Sequence, residues 1–393
     1  MTIGGSTADA ELAALAPWGD PAPRITAAER AARLDRARAL TAEAGADALL
    51  IGAGASLRYF AGVPWGASER LVALVLPVEG DPVIVCPRFE EGSLLAALEI
   101  PADVRLWEED ESPSALVAAG LRGGATLLVD PQLPFGMATA LGACGLVLRD
   151  ASRVVDAGRM LKSPAELALL TQAKAMTLEV QRRAAAILEP GIAASAVIRF
   201  IDSAHRALGS AGSYFCAVQF GRATAFPHGL PGDQLLEEDQ LVLIDTGCQV
   251  EGYHSDITRT YAFGTVDAEV HAIFETEQAA QRAAFEAVRP GVSCESVDAA
   301  ARAVLERAGL GPDYRLPGLP HRTGHGIGLS IHEPAYLVRG DRTPLAPGMC
   351  FSNEPMIVVP DRFGVRLEDH FHVTETSAAW FTAPQPSIDR PFG

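Results

Sequence analysis

The chain of 393 residues is poor in positive charge: 49 aspartates and glutamates stand against 32 lysines and arginines, a formal net charge of -17 at pH 7. Nucleic acids and anionic membrane surfaces are bound through clustered positive charge, so this balance argues against both as partners. A small peptide substrate is not excluded, because its recognition depends on a few local groups.

Paired cysteines and long apolar runs are also missing. The six cysteines are scattered without a C-x-x-C pair, which predicts reduced and mostly buried thiols. The longest apolar run, Leu71 to Leu76, is far shorter than the about 20 residues of a membrane-spanning helix. Met1 to Asp20 contains no lysine, no arginine and no sustained apolar stretch, so no signal peptide is expected. These absences predict a cytoplasmic protein.

The length favours two domains, the first of them an α/β domain. Ala27 to Ala44 is rich in alanine and charged residues and is followed by Gly45, which predicts a helix. The first domain is expected over residues 1–155 and the second over residues 156–393. The predicted strands, each bounded by Gly, Pro or Asp, lie at 48–51, 71–76, 83–86 and 126–129, with helices near 87–98 and 113–121.

The second domain begins with a capped helix and contains a faint internal repeat. Ser163 and Glu166 form an S-x-x-E capping box for a helix that ends before Pro190-Gly191. A second Pro-Gly pair, Pro290-Gly291, follows one hundred positions later, again after a long helical pattern. Asp245 and Glu354 then follow apolar runs in related places. The series predicts two duplicated halves around a pseudo-twofold axis, with a central site that takes ligands from both.

Four carboxylates and one imidazole of this domain could together hold two metal ions. Such an oxygen-rich set suits hard or borderline divalent ions such as Mn, Co, Fe or Zn better than a thiolate zinc site. Any one of these acids alone is more often a solvated surface charge. The set consists of Asp245, Asp256, His325, Glu354 and Glu368. The first two flank a predicted hairpin with Gly252 near its turn, and antiparallel strands can point both carboxylates at one place.

In order and in flanking sequence these five residues resemble the ligands of the pita-bread metallopeptidases: prolidase (Xaa-Pro dipeptidase), aminopeptidase P and, more distantly, methionine aminopeptidase. The stretch from His321 to His332 is similar to prolidase in the spacing of its three histidines. The resemblance covers roughly the whole chain and is closest to bacterial Xaa-Pro dipeptidases. It implies an α/β (α+β) protein with a creatinase-like amino-terminal domain followed by a pita-bread domain.

The resemblance also implies a mechanism. Two divalent ions, Mn²⁺ before Co, Zn or Fe, would cleave the Xaa-Pro bond of dipeptides through a bridging hydroxide. Asp245 would chelate one ion, His325 and Glu354 would complete the other, and Asp256 and Glu368 would bridge them. Glu354 would either shuttle the proton of the attacking water or act as a ligand alone.

Several side chains are expected around this centre. His228 and His332 resemble the two family histidines that contact substrate and stabilise the tetrahedral intermediate, and His321 would orient His325. His254 is expected to be structural or exposed. Arg366 would either pair with a ligand carboxylate or hold the free carboxylate of the substrate.

Three features bear on specificity and assembly. Arg339 and Arg342 lie in the loop where prolidases have a carboxylate-binding arginine, and the sequence does not choose between them. Trp65, in a Gly-rich loop, would either close the active site of a neighbouring subunit in a homodimer or be buried in its own domain. After Glu354-Pro355 this chain has Met356 where the family usually has glycine, and before Glu354 it has Ser352-Asn353 in place of the usual threonine. Neither change removes a ligand, so they predict an altered substrate preference with an intact metal set.

Three other functions are compatible with the pattern. One is an aminopeptidase P-like exopeptidase acting on longer Xaa-Pro peptides. Another is a different metal-dependent C–N hydrolase or lyase on the same fold. The third is a non-catalytic binding module, although such relatives typically lose ligands that this chain retains.

Overall fold

A computed structural model describes residues 3–393 of the chain, which form two compact units. The smaller unit is Arg24–Arg159, and the larger unit consists of the residues up to Pro23 together with Met160–Gly393. The expected boundary at residue 155 lies close to the one between Arg159 and Met160. The difference from the expectation is at the start of the chain, where the residues up to Pro23 belong to the larger unit. The main-chain N–H of Gly4 donates to Ala185 at 2.9 Å and that of Trp18 donates to Leu208 at 3.0 Å, which holds the amino-terminal segment on the larger unit.

The described residues form eleven α-helices, seventeen strands and two short 3-10 helices, Arg88–Glu90 and Gly221–Ala225. The helices are α1 (Ala8–Ala13), α2 (Ala27–Glu43), α3 (Ala55–Ala61), α4 (Glu91–Ala97), α5 (Pro113–Ala119), α6 (Phe135–Ala143), α7 (Ser152–Arg159), α8 (Pro164–Ala186), α9 (Ala194–Ala207), α10 (Ala268–Ala287) and α11 (Cys294–Arg307). Within residues 3–393, no helix combines the length and the apolar character needed to cross a membrane.

The strands of the smaller unit are β1 (Ala48–Gly52), β2 (Ala73–Pro77), β3 (Val83–Pro87), β4 (Asp103–Trp107), β5 (Thr126–Val129) and β6 (Val147–Asp150). Those of the larger unit are β7 (Ser213–Phe220), β8 (Gln240–Val250), β9 (Tyr253–His254), β10 (Ile257–Phe263), β11 (Gly324–Gly326), β12 (Glu333–Leu337), β13 (Cys350–Asn353), β14 (Met356–Val359), β15 (Phe363–Arg366), β16 (Asp369–Val373) and β17 (Ala378–Trp380).

The smaller unit contains one mixed six-stranded sheet in the order β4-β3-β2-β1-β5-β6. Strands β1, β2 and β3 pair antiparallel, whereas β3–β4, β1–β5 and β5–β6 pair parallel. All five residues of the central strand β1 are buried, as the short apolar run at 48–51 predicts. The predicted helix at 27–44 and the four predicted strands are confirmed, with β2 starting two residues later than expected.

The larger unit has two halves, each with a pair of helices against a sheet. Helices α8 and α9 share a core with strands β7, β8 and β10, and α10 and α11 share a second core with β12, β13 and β16. The sheets run β10-β8-β7 and β12-β11-β13-β16-β17, and β14 and β15 form a separate hairpin. Ser163 and Glu166 make the reciprocal bonds of the predicted capping box at the start of α8.

Two glutamines one hundred positions apart tie the helices to the sheets. The side-chain amide of Gln181 on α8 donates to the carbonyls of Ile244 and Ile257, both at 2.9 Å. The amide of Gln281 on α10 donates to the carbonyls of Asn353 and Leu367, both at 3.2 Å. Each accepting residue is the immediate neighbour of one of the predicted carboxylate ligands. The two halves therefore use the same device to fix the backbone beside those ligands.

The only two lysines of the sequence are both buried in the larger unit. Lys162 pairs with Glu333 at 3.0 Å, with both side chains almost fully buried. The ammonium of Lys174 donates to the carbonyl of His254 at 3.1 Å and lies 4.7 Å from the ring centre of Phe381. Burial lowers the pKa of Lys174 to about 7.

Replacing Gln281 by leucine is expected to lower the free energy of unfolding by roughly 1–3 kcal/mol, because two buried carbonyls lose a donor. Gln181→Leu should have a similar effect. The measurement is urea unfolding at constant slope. Gln278→Leu on the same helix is the control, since its amide donates to Gln385 and Pro386 in a less buried place and its loss should cost less. Equal losses for Gln281→Leu and Gln278→Leu would contradict this role.

Candidate metal centre

A hairpin brings Asp245 and Asp256 together. Asp245 lies in β8 opposite Thr258 of β10, and Asp256 directly precedes β10. The chain turns at Glu251 and Gly252, whose φ angles of 48° and 82° lie in the left-handed region that glycine adopts readily. The turn that Gly252 predicts is therefore present, and it places both carboxylates on the same cavity.

Main-chain contacts join the second half to this hairpin. The N–H of Glu368 donates to the carbonyl of Thr258 at 3.1 Å, and the hydroxyl of Thr258 donates to Glu368 Oε2 at 2.9 Å. Glu354, which follows β13, is held by a bond from its N–H to the carbonyl of Thr323 at 2.8 Å. His325 lies in β11, which pairs with β12 on one side and with β13, the strand that leads into Glu354, on the other.

One cavity of about 460 Å³ contains all eight side chains that the sequence predicts for metal and substrate. Its lining consists of Phe215, Pro227, His228, Asp245, Asp256, Pro320, His321, Arg322, His325, Ile331, His332, Glu354, Arg366 and Glu368.

Two groups of three side chains in this region have ligand atoms within 4.8 Å of one another. One is His325, Glu354 and Glu368, and the other is Asp256, Glu368 and His370. Nε2 of His325 lies 3.2 Å from Glu354 Oε1 and 3.8 Å from Asp256 Oδ2. Glu368 belongs to both groups, as a bridging ligand would. Asp245 lines the same cavity but belongs to neither group.

The carboxylates fit a metal centre because their buried oxygens are not satisfied by the protein. Asp245 Oδ1, Asp256 Oδ1 and Glu368 Oε1 are buried without a hydrogen-bond partner among residues 3–393. Burial, followed by the charge of Glu368, raises the pKa of Asp256 and of Glu354 well above the usual carboxyl range. Divalent cations at these oxygens would offset both causes. The donor set of carboxylates and imidazole is that of hard or borderline ions.

His325 is oriented as a ligand by its own strand. Its Nδ1 lies 3.0 Å from the carbonyl of Gly326, so an Nδ1–H there leaves Nε2 with a lone pair toward the acids. Burial lowers the pKa of His325 well below its usual value, which keeps the ring neutral. The expectation that His321 orients His325 differs from this arrangement, because Nδ1 of His321 contacts the carbonyl of Arg322 at 2.7 Å.

The two histidines expected to contact substrate are exposed at the cavity. The ring of His332 lies 4.2 Å from that of His325, nearly perpendicular to it, and His228 lies on the wall with Pro227 and Phe215. Burial and then the charge of Arg322 lower the pKa of His332. His254, in contrast, is buried and contacts the side chain of Gln249 at 2.7 Å, so its structural role is the one observed.

Arg366 takes the first of its two expected partners. Its guanidinium donates to Asp245 Oδ2 at 2.6 Å and to the hydroxyl of Thr258 at 3.1 Å, and the side chain is almost fully buried. Arg339 and Arg342 are exposed and pair with Asp313 and Glu295, respectively. Because Arg366 already donates to Asp245 and Thr258, it has fewer N–H groups left to bind the carboxylate of a substrate.

Two residues of the site were not predicted from the sequence. Arg322 lines the cavity, with its guanidinium 4.6 Å from the ring centre of Tyr336 and no carboxylate partner among the described residues. His370, two residues after Glu368, has a fully buried ring beside the acids. Arg322 could have been predicted from the sequence because it directly follows His321, which was expected beside the metal centre. The alternation of a strand, which places i and i+2 on one face, was the signal for His370.

Residues 168–375 match Metallopeptidase family M24, and residues 33–161 match the Creatinase/Prolidase N-terminal domain. The chain belongs to metallopeptidase family M24. This confirms the enzyme class, the pita-bread architecture of the larger unit and the creatinase-like character of the smaller one.

The M24 relatives are similar along nearly the whole chain. Probable dipeptidase PepE of Mycobacterium tuberculosis is 42% identical over 360 residues, which cover 90% of this chain and 95% of that protein. The crystal structure of dipeptidase PepE from Mycobacterium ulcerans has a TM-score of 0.84 at 40% identity, covering 92% and 97% of the two chains. The prolidase of Thermococcus sibiricus has a TM-score of 0.82 at 29% identity, covering 89% and 96%.

Removing a carboxylate that is predicted to bridge two ions should open the metal centre. Asp256→Ala and Glu368→Ala are each expected to reduce the bound metal, measured by mass spectrometry of the purified protein, and to abolish peptide hydrolysis. Asp361→Ala removes an exposed carboxylate that pairs with Arg222 and serves as the control. Full metal content with near-normal turnover in either ligand variant would refute the assigned site.

Proposed function

We propose that this M24 enzyme is an Xaa-Pro dipeptidase with two divalent metal ions held by Asp245, Asp256, His325, Glu354 and Glu368. The observation that carries the proposal is the pair of carboxylate–imidazole groups that share Glu368, beside the cavity that all five of these side chains line. The names of the relatives, which include dipeptidases and a prolidase, support the substrate class. Mn²⁺ is the first ion to test. A homodimer and a cytoplasmic location are part of the same proposal.

Bound divalent ions would lower the pKa of a water molecule and stabilise negative charge on the oxygen of the scissile amide. Glu354 is the residue to carry the proton. Its carboxylate lines the cavity and can accept a proton from a water molecule there. The proline nitrogen leaves as an amine, so it must gain a proton as the bond breaks. Glu354 can deliver there the proton that it takes from water.

The two exposed histidines would act on the substrate itself. His332 lies against the His325 ring, and His228 lies in the cavity wall. Neither ring has a hydrogen bond to the acids among residues 3–393. An imidazole N–H from either one can donate to the amide oxygen as negative charge develops on it.

A cation must hold the free carboxylate if dipeptides are preferred. Arg322 is the best placed, since it lines the cavity without a carboxylate partner among residues 3–393. Arg366 is the second candidate, because it is already bound to Asp245. A charge-assisted bond to a carboxylate is worth about 1.5–3 kcal/mol, enough to favour a dipeptide over a longer peptide.

A second candidate function is suggested by a groove that shares His228 with the cavity. It has a volume of about 410 Å³ and is lined in part by Gln219, Asp233 and Gln234. Such a groove could take residues beyond proline, as in an aminopeptidase P-like enzyme.

Alanine at His228 or His332 should leave both metal ions bound and lower turnover by roughly 10², the scale of losing one donor to a developing oxyanion. Metal content and kcat are the two measurements. His271→Ala, on α10 and outside the cavity lining, is the control. Metal loss together with activity loss would reassign the histidine as a ligand.

Ala-Pro is expected to be hydrolysed faster than Ala-Pro-Ala, because only the dipeptide has its carboxylate next to the metal centre. The discrimination is measured as the ratio of the two kcat/KM values. Faster cleavage of the tripeptide would mean the aminopeptidase P-like function, and cleavage of neither peptide would favour another C–N hydrolase or lyase.

The role of Arg322 is tested in the same assay with a substrate change. Arg322→Gln should lower kcat/KM for Ala-Pro by about 10- to 100-fold but have little effect on Ala-Pro amide, which lacks the carboxylate. Arg339→Gln, an exposed arginine paired with Asp313, is the matched control. An equal loss on both substrates would remove Arg322 from carboxylate binding.

A further inference from the structure

The two ligand groups that share Glu368 each contain an imidazole, and only one of these is His325. The other is His370, in β16, two residues after Glu368. Its ring is completely buried, and Nε2 lies 3.7 Å from Oε1 of Glu368. Both ring nitrogens of His370 are without a hydrogen-bond partner among residues 3–393.

A buried imidazole in that state is costly unless something binds it. A neutral ring has one N–H donor and one lone pair, and leaving such groups unpaired in the interior costs about 1–3 kcal/mol each. The unpaired atoms of the two acids in the same group, Asp256 Oδ1 and Glu368 Oε1, are acceptors and have no proton to offer the ring when ionised. Two carboxylate oxygens and a nitrogen lone pair make a set of ligands for one cation.

The neighbouring cations of the protein do not fill this role. The Lys174 ammonium donates to the carbonyl of His254, and the Arg259 guanidinium pairs with Asp369 at 2.6 Å. Neither has a hydrogen bond to His370. Ligand atoms of Asp256, Glu368 and His370 all lie within 4.8 Å of one another, and no side chain among residues 3–393 has a hydrogen bond to the His370 ring.

We propose that His370 is a further metal-binding side chain, whose imidazole binds the ion shared by Asp256 and Glu368. The inference rests on the proposed dinuclear centre. It assigns one imidazole to each ligand group: His325 beside Glu354, and His370 beside Asp256. A second nitrogen donor would shift the centre toward Co, Zn or Fe relative to Mn, because imidazole suits those ions and an all-oxygen set suits Mn.

The experiment counts imidazole ligands in the cobalt-substituted protein. Cobalt-bound histidines show N–H proton signals displaced far outside the normal range, and ¹⁵N-labelling of histidine identifies them. We expect two such signals in the wild-type protein and one in His370→Phe. His372→Phe is the matched control, since it changes a half-buried histidine of the same strand that belongs to neither ligand group.

Calorimetric titration with Co²⁺ gives a second readout without substrate. His370→Phe should weaken one of the two binding events at least about tenfold, while His372→Phe keeps both. The wild-type signal count decides the question even if His370→Phe does not fold. One displaced signal with two bound ions would overturn the role of His370 and leave the proposed function standing. Failure of the wild-type protein to bind cobalt would overturn both.

Discussion

Mutual repulsion among carboxylates in one buried cavity is the constraint around which the larger unit is built. Four acids meet there, and burial raises the pKa of each. The protein holds them by their backbones more than by their side chains. Gln181 and Gln281 bind the carbonyls next to the four acids, and Thr258 links the hairpin to Glu368. The protein thus fixes the backbone beside these acids, and three of their oxygens have no hydrogen-bond partner among residues 3–393.

The two halves of the larger unit hold their acids in the same way. The repeat of Pro-Gly pairs predicts two equivalent helix–sheet units. Gln181 and Gln281, at the same spacing of one hundred residues, occupy equivalent positions in the two units and make equivalent hydrogen bonds. Each half fixes two strands at the residue beside an acid. The cavity between the two halves is therefore lined by acids from the sheets of both.

Much of the fold and of the site follows from local sequence. The hairpin turn at Gly252, the capping box at Ser163 and the strand at 48–51 each depend on a few adjacent residues, and all are present. Strands β4 and β6 escape prediction because they are polar edge strands, with charged residues such as Asp103 and Arg149 in place of an apolar pattern.

Other features depend on contacts distant in sequence. Residues 3–23 join the larger unit through bonds to α8 and to the end of α9, which no local pattern announces. The partner of Arg366 and the proximity of His370 to Asp256 likewise arise only when the halves meet. The order of the five predicted ligands was readable because each stands in its own short motif. Arg322 was not predicted, because its neighbours His321 and Thr323 form no motif that indicates an arginine of the site.

The burial of both lysines has a consequence for the outer surface of the folded protein. Lys162 and Lys174 carry every side-chain amine in the sequence, and neither is exposed. Reagents that acylate or cross-link amines will therefore find no lysine on the native fold, and attachment to surfaces through lysine will fail. Acylation of either lysine instead reports that the larger unit has opened, so the chain carries its own chemical probe of unfolding.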